Sequence, residues 1–128
     1  MIFIGALGIA VRAIAPLIRH KTVDSPVLVL DETGQFVIPV LSGHLGGANE
    51  LAQQIAESLH SAAVVTTATD VNGLFAVDVF ARKNGLRVCN PEAIRHVSGK
   101  LLQGETIVMA VDPACMSPEL SLIHIRCV

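Results

Sequence analysis

The stretch Ser42-Gly-His-Leu-Gly-Gly-Ala-Asn-Glu-Leu-Ala52 carries the densest chemistry of the chain. A serine, a histidine, an asparagine and three glycines fall between an apolar run, Phe36–Leu41, and a second apolar pattern over Leu51–Leu59. The first run reads as a strand and the second as a helix. Glycine admits positive φ and lets a ligand approach the backbone closely. A helix start presents unpaired N–H groups and the positive end of the helix dipole, which suits an anion. Ser42, His44, Asn49 and the backbone at Gly43, Gly46 and Gly47 are therefore candidate ligand contacts. The plainer alternative is a tight strand-to-helix turn capped by Ser42 or Asn49. The spacing fits neither a dinucleotide fingerprint nor a P-loop, because G-x-G-x-x-G and a terminal G-K-[ST] are both missing.

Two further polar turns follow apolar runs. Gly5–Gly8 comes after Ile2–Gly5, with Arg12 about one turn into the next helical segment. Thr66-Thr-Ala-Thr-Asp70 comes after Ala62–Val65 and offers the hydroxyls of Thr66, Thr67 and Thr69 and the carboxylate of Asp70. Thr66 and Thr67 could equally finish a strand, with Asp70 capping the following turn. His44 is the candidate for proton transfer, since an unperturbed imidazole titrates near neutrality; the alternative is a histidine that only hydrogen-bonds within its turn. Ser42 makes a poor covalent nucleophile, lacking the G-x-S-x-G elbow. His20, His60, His96 and His124 are scattered without metal-ligand spacing, so no metal site is expected. Asp31 and Glu32 read as solvated turn residues. Cys89, Cys115 and Cys127, odd in number, suit reduced thiols and a cytoplasmic location.

The elements that must position these residues alternate between strands and helices. Strands are expected at Ile2–Gly5, Val27–Leu30, Phe36–Leu41, Ala62–Val65, Leu86–Cys89 and Thr106–Val111. Helices are expected at Ile9–Ile18, Leu51–Leu59, Leu74–Lys83 and Pro91–Leu102. Asp31-Glu-Thr-Gly34 has hairpin chemistry, so Val27–Leu30 and Phe36–Leu41 should pair antiparallel. The alternation predicts an α/β fold, layered, with a largely parallel open sheet and flanking helices. In such a sheet ligands bind beyond the carboxyl ends of the strands. If their strands run parallel, the three polar turns and Arg12 should crowd one rim. From Pro113 to Val128 the alternation is lost.

Composition narrows the classes. The chain has 128 residues, of which 52% are hydrophobic, enough for one ordinary domain with a real core. Aromatics are 3% and the net charge is −2 without a basic cluster, which argues against nucleic acid. Apolar stretches are interrupted well short of a membrane span, and the basic start of a signal peptide is missing.

Several segments, in order, resemble one family. Gly5-Ala-Leu-Gly-Ile-Ala-Val-Arg12 with Ile14-Ala-Pro16, Asp24-Ser-Pro-Val27, Asp31-Glu-Thr-Gly34, Val37-Ile-Pro39, Leu41–Ala52 and Thr66–Asp70 are similar to the N-terminal region of the cobalt-precorrin 5A hydrolases of anaerobic cobalamin biosynthesis. Val77-Asp78, Asn84-Gly-Leu86, Asn90-Pro91 and Leu101–Glu105 resemble, more weakly, the start of that family's middle region. The resemblance implies an N-terminal domain over residues 1–71, the start of the middle region over 72–112 and an unassigned tail over 113–128. It also implies a further α/β segment before Met1 and a C-terminal domain, so the chain reads as a fragment. The implied reaction opens the δ-lactone of a cobalt-bound tetrapyrrole, with loss of acetaldehyde, to give cobalt-precorrin 5B. No cofactor is expected, because the substrate carries the cobalt. Other enzymes of the pathway are compatible partners, and the oligomeric state is left open. Two alternatives remain: a corrinoid-binding part without catalysis, and a phosphate- or nucleotide-binding α/β domain.

Overall fold

The computed structural model describes residues 1–108 and Leu122–Ile123. It divides into two compact units, Met1–Thr66 and Thr67–Val128. The first holds β1 (Ile2–Ile4), α1 (Leu7–Ile14), β2 (Val27–Leu30), β3 (Phe36–Leu41), α2 (Ala48–Leu59) and β4 (Ala62–Ala63). The strands form one sheet in the order β1-β2-β3-β4. β1 pairs with β2 and β3 with β4 in parallel, whereas β2 and β3 form the antiparallel hairpin that Asp31–Gly34 announces. The expected α/β class is thus present, in a mixed sheet: two of its three pairings are parallel, and the hairpin sets β1 and β2 against β3 and β4.

The sequence explains where the core sits. β2 is an unbroken apolar run, and all four of its residues are buried, as expected of a strand covered on both faces. Leu28 and Leu30 point toward α2, where they meet Val37 and the alanines Ala48, Ala52 and Ala56. With Leu51 and Ile55 these make an i, i+3, i+4, i+7, i+8 stripe, and the small side chains let the helix lie close to the sheet. Val29 faces the other way by the pleat and is buried as well. α1 packs against β2 and buries Ala10 and Ile14, one turn apart. Pro16 ends α1 four residues earlier than the expected Ile18: Ala15–Leu17 tighten into a 3-10 turn instead. Pro39 is tolerated within β3 because β4 pairs only with Phe36 and Val37 and the register against β2 shifts near Leu28.

The hairpin turn is organised by one carboxylate. Asp31 accepts from the Thr33 hydroxyl and from the main-chain N–H of Thr33 (3.0 Å) and Phe36 (2.6 Å). It is a structural hub rather than only a solvated turn residue. The Thr33 hydroxyl, followed by the Phe36 amide, lowers its pKa below the usual carboxylate value. A carboxyl depressed in the folded state stabilises above its unfolded pKa, and that contribution is lost as pH falls through the folded pKa. Wild type should therefore be more stable than Asp31→Asn near neutrality. Urea titrations at stepped pH should show the difference shrink below about pH 4. A difference independent of pH would dissociate the carboxylate's charge from the turn.

The second unit holds α3 (Ala68–Val71), α4 (Val77–Lys83), β5 (Arg87–Val88), α5 (Glu92–Leu102) and β6 (Leu122–Ile123). Val77, Ala81 and Ile94 form its core, with Leu86 and Val88 packed on them. Three expectations shift here. Thr69 and Asp70 lie in α3, not at a strand end. The strand expected over 106–111 is not regular across 106–108, and its remainder lies outside the described residues. Leu122–Ile123, in the stretch the sequence pattern leaves unplaced, pairs in parallel with β5.

Candidate functional site

The topology of the first unit separates turns that were expected to converge. β1 runs parallel to β2, and β2 antiparallel to β3, so β1 and β3 point in opposite directions. The carboxyl end of β1 lies beside Leu30 and the start of β3: the Gly5 N–H donates to the Leu30 carbonyl at 2.8 Å. The turn after β3 lies at the other rim, with the entry to β2. Gly5–Gly8 and Ser42–Asn49 therefore do not share a rim. β4, parallel to β3, leads Val64–Thr66 toward the rim of the Ser42 turn. Arg12 is exposed in the last turn of α1. Thr67, Thr69 and Asp70 belong to the second unit, where Thr69 is buried and their carbonyls accept from the Val71, Leu74 and Gly73 N–H groups.

Within the Ser42 turn, the chain's own carbonyls occupy much of the donor set. Gly47 N–H donates to the His44 carbonyl, Ala48 N–H to Ser42 and Asn49 N–H to Gly43, each at 3.1 Å. The anion site expected from the amides of Gly46 and Gly47 and the helix start is thus partly closed by its own loop, and the Gly47 donor is already engaged. Gly47 has φ +79°, which glycine adopts without strain. Gly46 serves a different need: a Cβ there would collide with Ser42 Cβ and lie 2.8 Å from the Ser42 carbonyl oxygen. At Gly43 a Cβ would lie 2.7 Å from the side-chain oxygen of Asn49, itself buried in the first turn of α2. Ser42 sits at φ +57° and its hydroxyl donates to the Asp24 carbonyl at 2.7 Å. That bond makes Ser42 a fastener between two loops rather than a nucleophile. His44 is half-buried in the same turn and already has an interaction partner.

The partner loop of Ser42 forms a wall of a cleft of about 370 Å³. Ile14, Leu17 and Ile18 line one side, Val27 and Leu41 another, and Arg19 and Asp24 add charge. The Arg19 main-chain N–H donates to both Asp24 carboxylate oxygens, at 3.1 and 3.2 Å. Val23 and Asp24 N–H both return to the His20 carbonyl at 3.0 Å. Sequence reasoning assigns residues 19–23 no role and uses Asp24-Ser-Pro-Val27 only for the family resemblance. The signal was present: once β2 and β3 are read as an antiparallel hairpin, the loop entering β2 must lie beside the turn leaving β3. Among the described residues, no group of three or more His, Cys, Asp or Glu could hold a metal ion. No helix among them is long and apolar enough to cross a membrane.

Comparison with known proteins gives a consistent picture. Residues 1–70 match the family model described as "Cobalamin synthesis G N-terminal". Residues 75–125 match the "Cobalamin biosynthesis central region", which runs past residue 113 into the stretch left unassigned by the sequence pattern. A protein named cobalt-precorrin-5A hydrolase from Salmonella typhimurium is 42% identical over 127 residues, covering 98% of this chain and 36% of that protein. One of the same name from Priestia megaterium is 41% identical over 109 residues, covering 85% of this chain and 29% of its own length. The chain thus spans about a third of these relatives. Among solved structures, a cobalamin biosynthesis protein G homolog from Sulfolobus solfataricus is similar at TM-score 0.50 and 25% identity, covering 98% of this chain and 40% of that one.

Proposed function

The chain belongs to the cobalamin synthesis G family, and from that membership we propose that it supplies the N-terminal and central parts of a cobalt-precorrin-5A hydrolase. The observation that carries this reading is the ordered match of both family regions along one chain, together with relatives of that name at 41–42% identity. In the proposed reaction water opens the δ-lactone of the cobalt-bound macrocycle and a two-carbon unit leaves as acetaldehyde, giving cobalt-precorrin 5B. The cobalt belongs to the substrate, and the chain brings no cofactor of its own. His44 moves the proton. The rim around Ser42, Gly43, Gly46, Gly47 and Asn49, with Thr66 beside it, positions the substrate. The protein works in the cytoplasm, a compartment that suits the free thiol of Cys89.

A narrower reading, in which this chain binds the macrocycle while chemistry resides elsewhere in the enzyme, is favoured by the turn amides already bonded to their own loop. One experiment tests both readings. Cobalt-precorrin 5A is supplied to the 128-residue chain and to a chimera in which this chain replaces the matching third of the Salmonella relative, and acetaldehyde is trapped. Release by the chain alone places the chemistry here. Release only by the chimera shows that the rest of the enzyme is needed, and the His44 variants of the chimera then decide between the two readings. No release by either, with the Salmonella enzyme active alongside, overturns the proposal.

A further inference from the structure

We infer that the cleft between the end of α1 and the loop entering β2 is a subsite for one carboxylate-bearing edge of a corrinoid, with the Arg19 guanidinium as its charge partner. The inference rests on the proposed function and adds to it a place and a residue.

Three observations converge. The cleft is concave and mostly apolar with few polar groups, the composition of a small-molecule site. Its volume of about 370 Å³ admits one edge of a large ring with its side chains rather than the whole macrocycle. Its charges are arranged asymmetrically. Both Asp24 carboxylate oxygens are drawn to the Arg19 main-chain N–H, whereas no described residue pairs with the Arg19 guanidinium. A planar guanidinium beside an apolar wall suits a carboxylate carried on an apolar frame. The wall is also held in place before any ligand arrives. The His20 carbonyl closes the loop, and the Ser42 hydroxyl ties Asp24 to the turn that carries His44. Less ordering on binding leaves more of the contact energy as affinity. This also accounts for the αL conformation of Ser42: the strained residue is the one that aims its hydroxyl at the cleft wall.

The test is calorimetric titration of the 128-residue chain with cobyrinic acid, a carboxylated corrin, and with its neutral heptamethyl ester. Wild type should prefer the acid. Arg19→Glu should weaken acid binding about tenfold or more, and Arg19→Gln by a smaller factor in the same direction. Neither should change ester binding appreciably. Both variants should fold, because the Arg19 side chain is exposed and its main-chain N–H makes the structural bonds. Arg95→Glu, an identical charge change on the exposed face of α5, should leave the acid preference intact. Acid binding unchanged in Arg19→Glu, or lost equally in Arg95→Glu, overturns the subsite while leaving the proposed function standing. No binding of either corrin by wild type overturns the subsite and counts against the corrinoid reading of this chain as well.

Discussion

Replacing Gly46 with alanine should destabilise the first unit more than replacing Gly47, although Gly47 is the one of the two at positive φ. The Cβ added at Gly46 would meet Ser42 Cβ and the Ser42 carbonyl oxygen, the latter at 2.8 Å. Those atoms are at or next to the backbone and cannot swing aside. The same carbonyl accepts the Ala48 N–H at 3.1 Å, so moving it loosens the first turn of α2. Overpacking typically costs about 1–3 kcal/mol and a lost hydrogen bond about 1 kcal/mol, so a total of about 2–4 kcal/mol is expected. At Gly47 the left-handed conformation, φ +79°, costs about 1–2 kcal/mol for a residue with a Cβ. Urea unfolding of the two variants, followed by far-ultraviolet circular dichroism, measures the ranking. Equal midpoints, or Gly47→Ala the weaker variant, would remove the steric role assigned to Gly46.

That ranking marks the boundary of what the residues alone can tell. β2 and β3 are legible to the residue, because Val27-Leu-Val-Leu30 is unbroken and Asp31-Glu-Thr-Gly34 has hairpin chemistry. The existence of α2 is legible from its 3.6-residue stripe. The purpose of each glycine is not. Glycine can serve positive φ, a ligand's approach or a crowded backbone, and all three leave the same letter in the sequence. Gly47 answers to the first and Gly46 to the third, and only the fold tells them apart. The convergence of polar turns fails for a related reason. Strand direction is a long-range property, fixed by which edges pair, and nothing local to Gly5–Gly8 encodes that β1 opposes β3. The cleft is missed because Ile18–Val23 has neither periodicity nor a motif, and Asp24-Ser-Pro-Val27 speaks only to family; its walls come from a helix end, a loop and two strands. The ordered family segments, by contrast, survive any error of topology, since they compare residues with residues.

The second large effect concerns His44. In the chimera with the Salmonella relative, His44→Ala should lower kcat for acetaldehyde release by about 10²–10⁴-fold, the usual contribution of a positioned proton donor or acceptor. KM should change by much less, because a group that acts only in the transition state lowers turnover without weakening ground-state binding. The fold gives this prediction a specific competitor. His44 already has an interaction partner, and its carbonyl holds the Gly47 N–H at 3.1 Å, so the residue could matter only as part of the turn. The carbonyl remains in any substitution, which leaves the imidazole as the variable. His44→Gln keeps a hydrogen-bonding side chain of similar reach but cannot shuttle a proton at neutral pH. It should be as slow as His44→Ala if the ring moves a proton, and near wild type if the ring only braces the turn. Added imidazole should restore part of the rate to His44→Ala in the first case and none in the second. Full turnover in His44→Gln, or a raised KM with kcat unchanged in His44→Ala, would move His44 from proton transfer to the architecture of the turn. The Arg19 cleft would then be the better starting point for locating the chemistry, because the Ser42–Asp24 bond ties that cleft to whatever the turn presents.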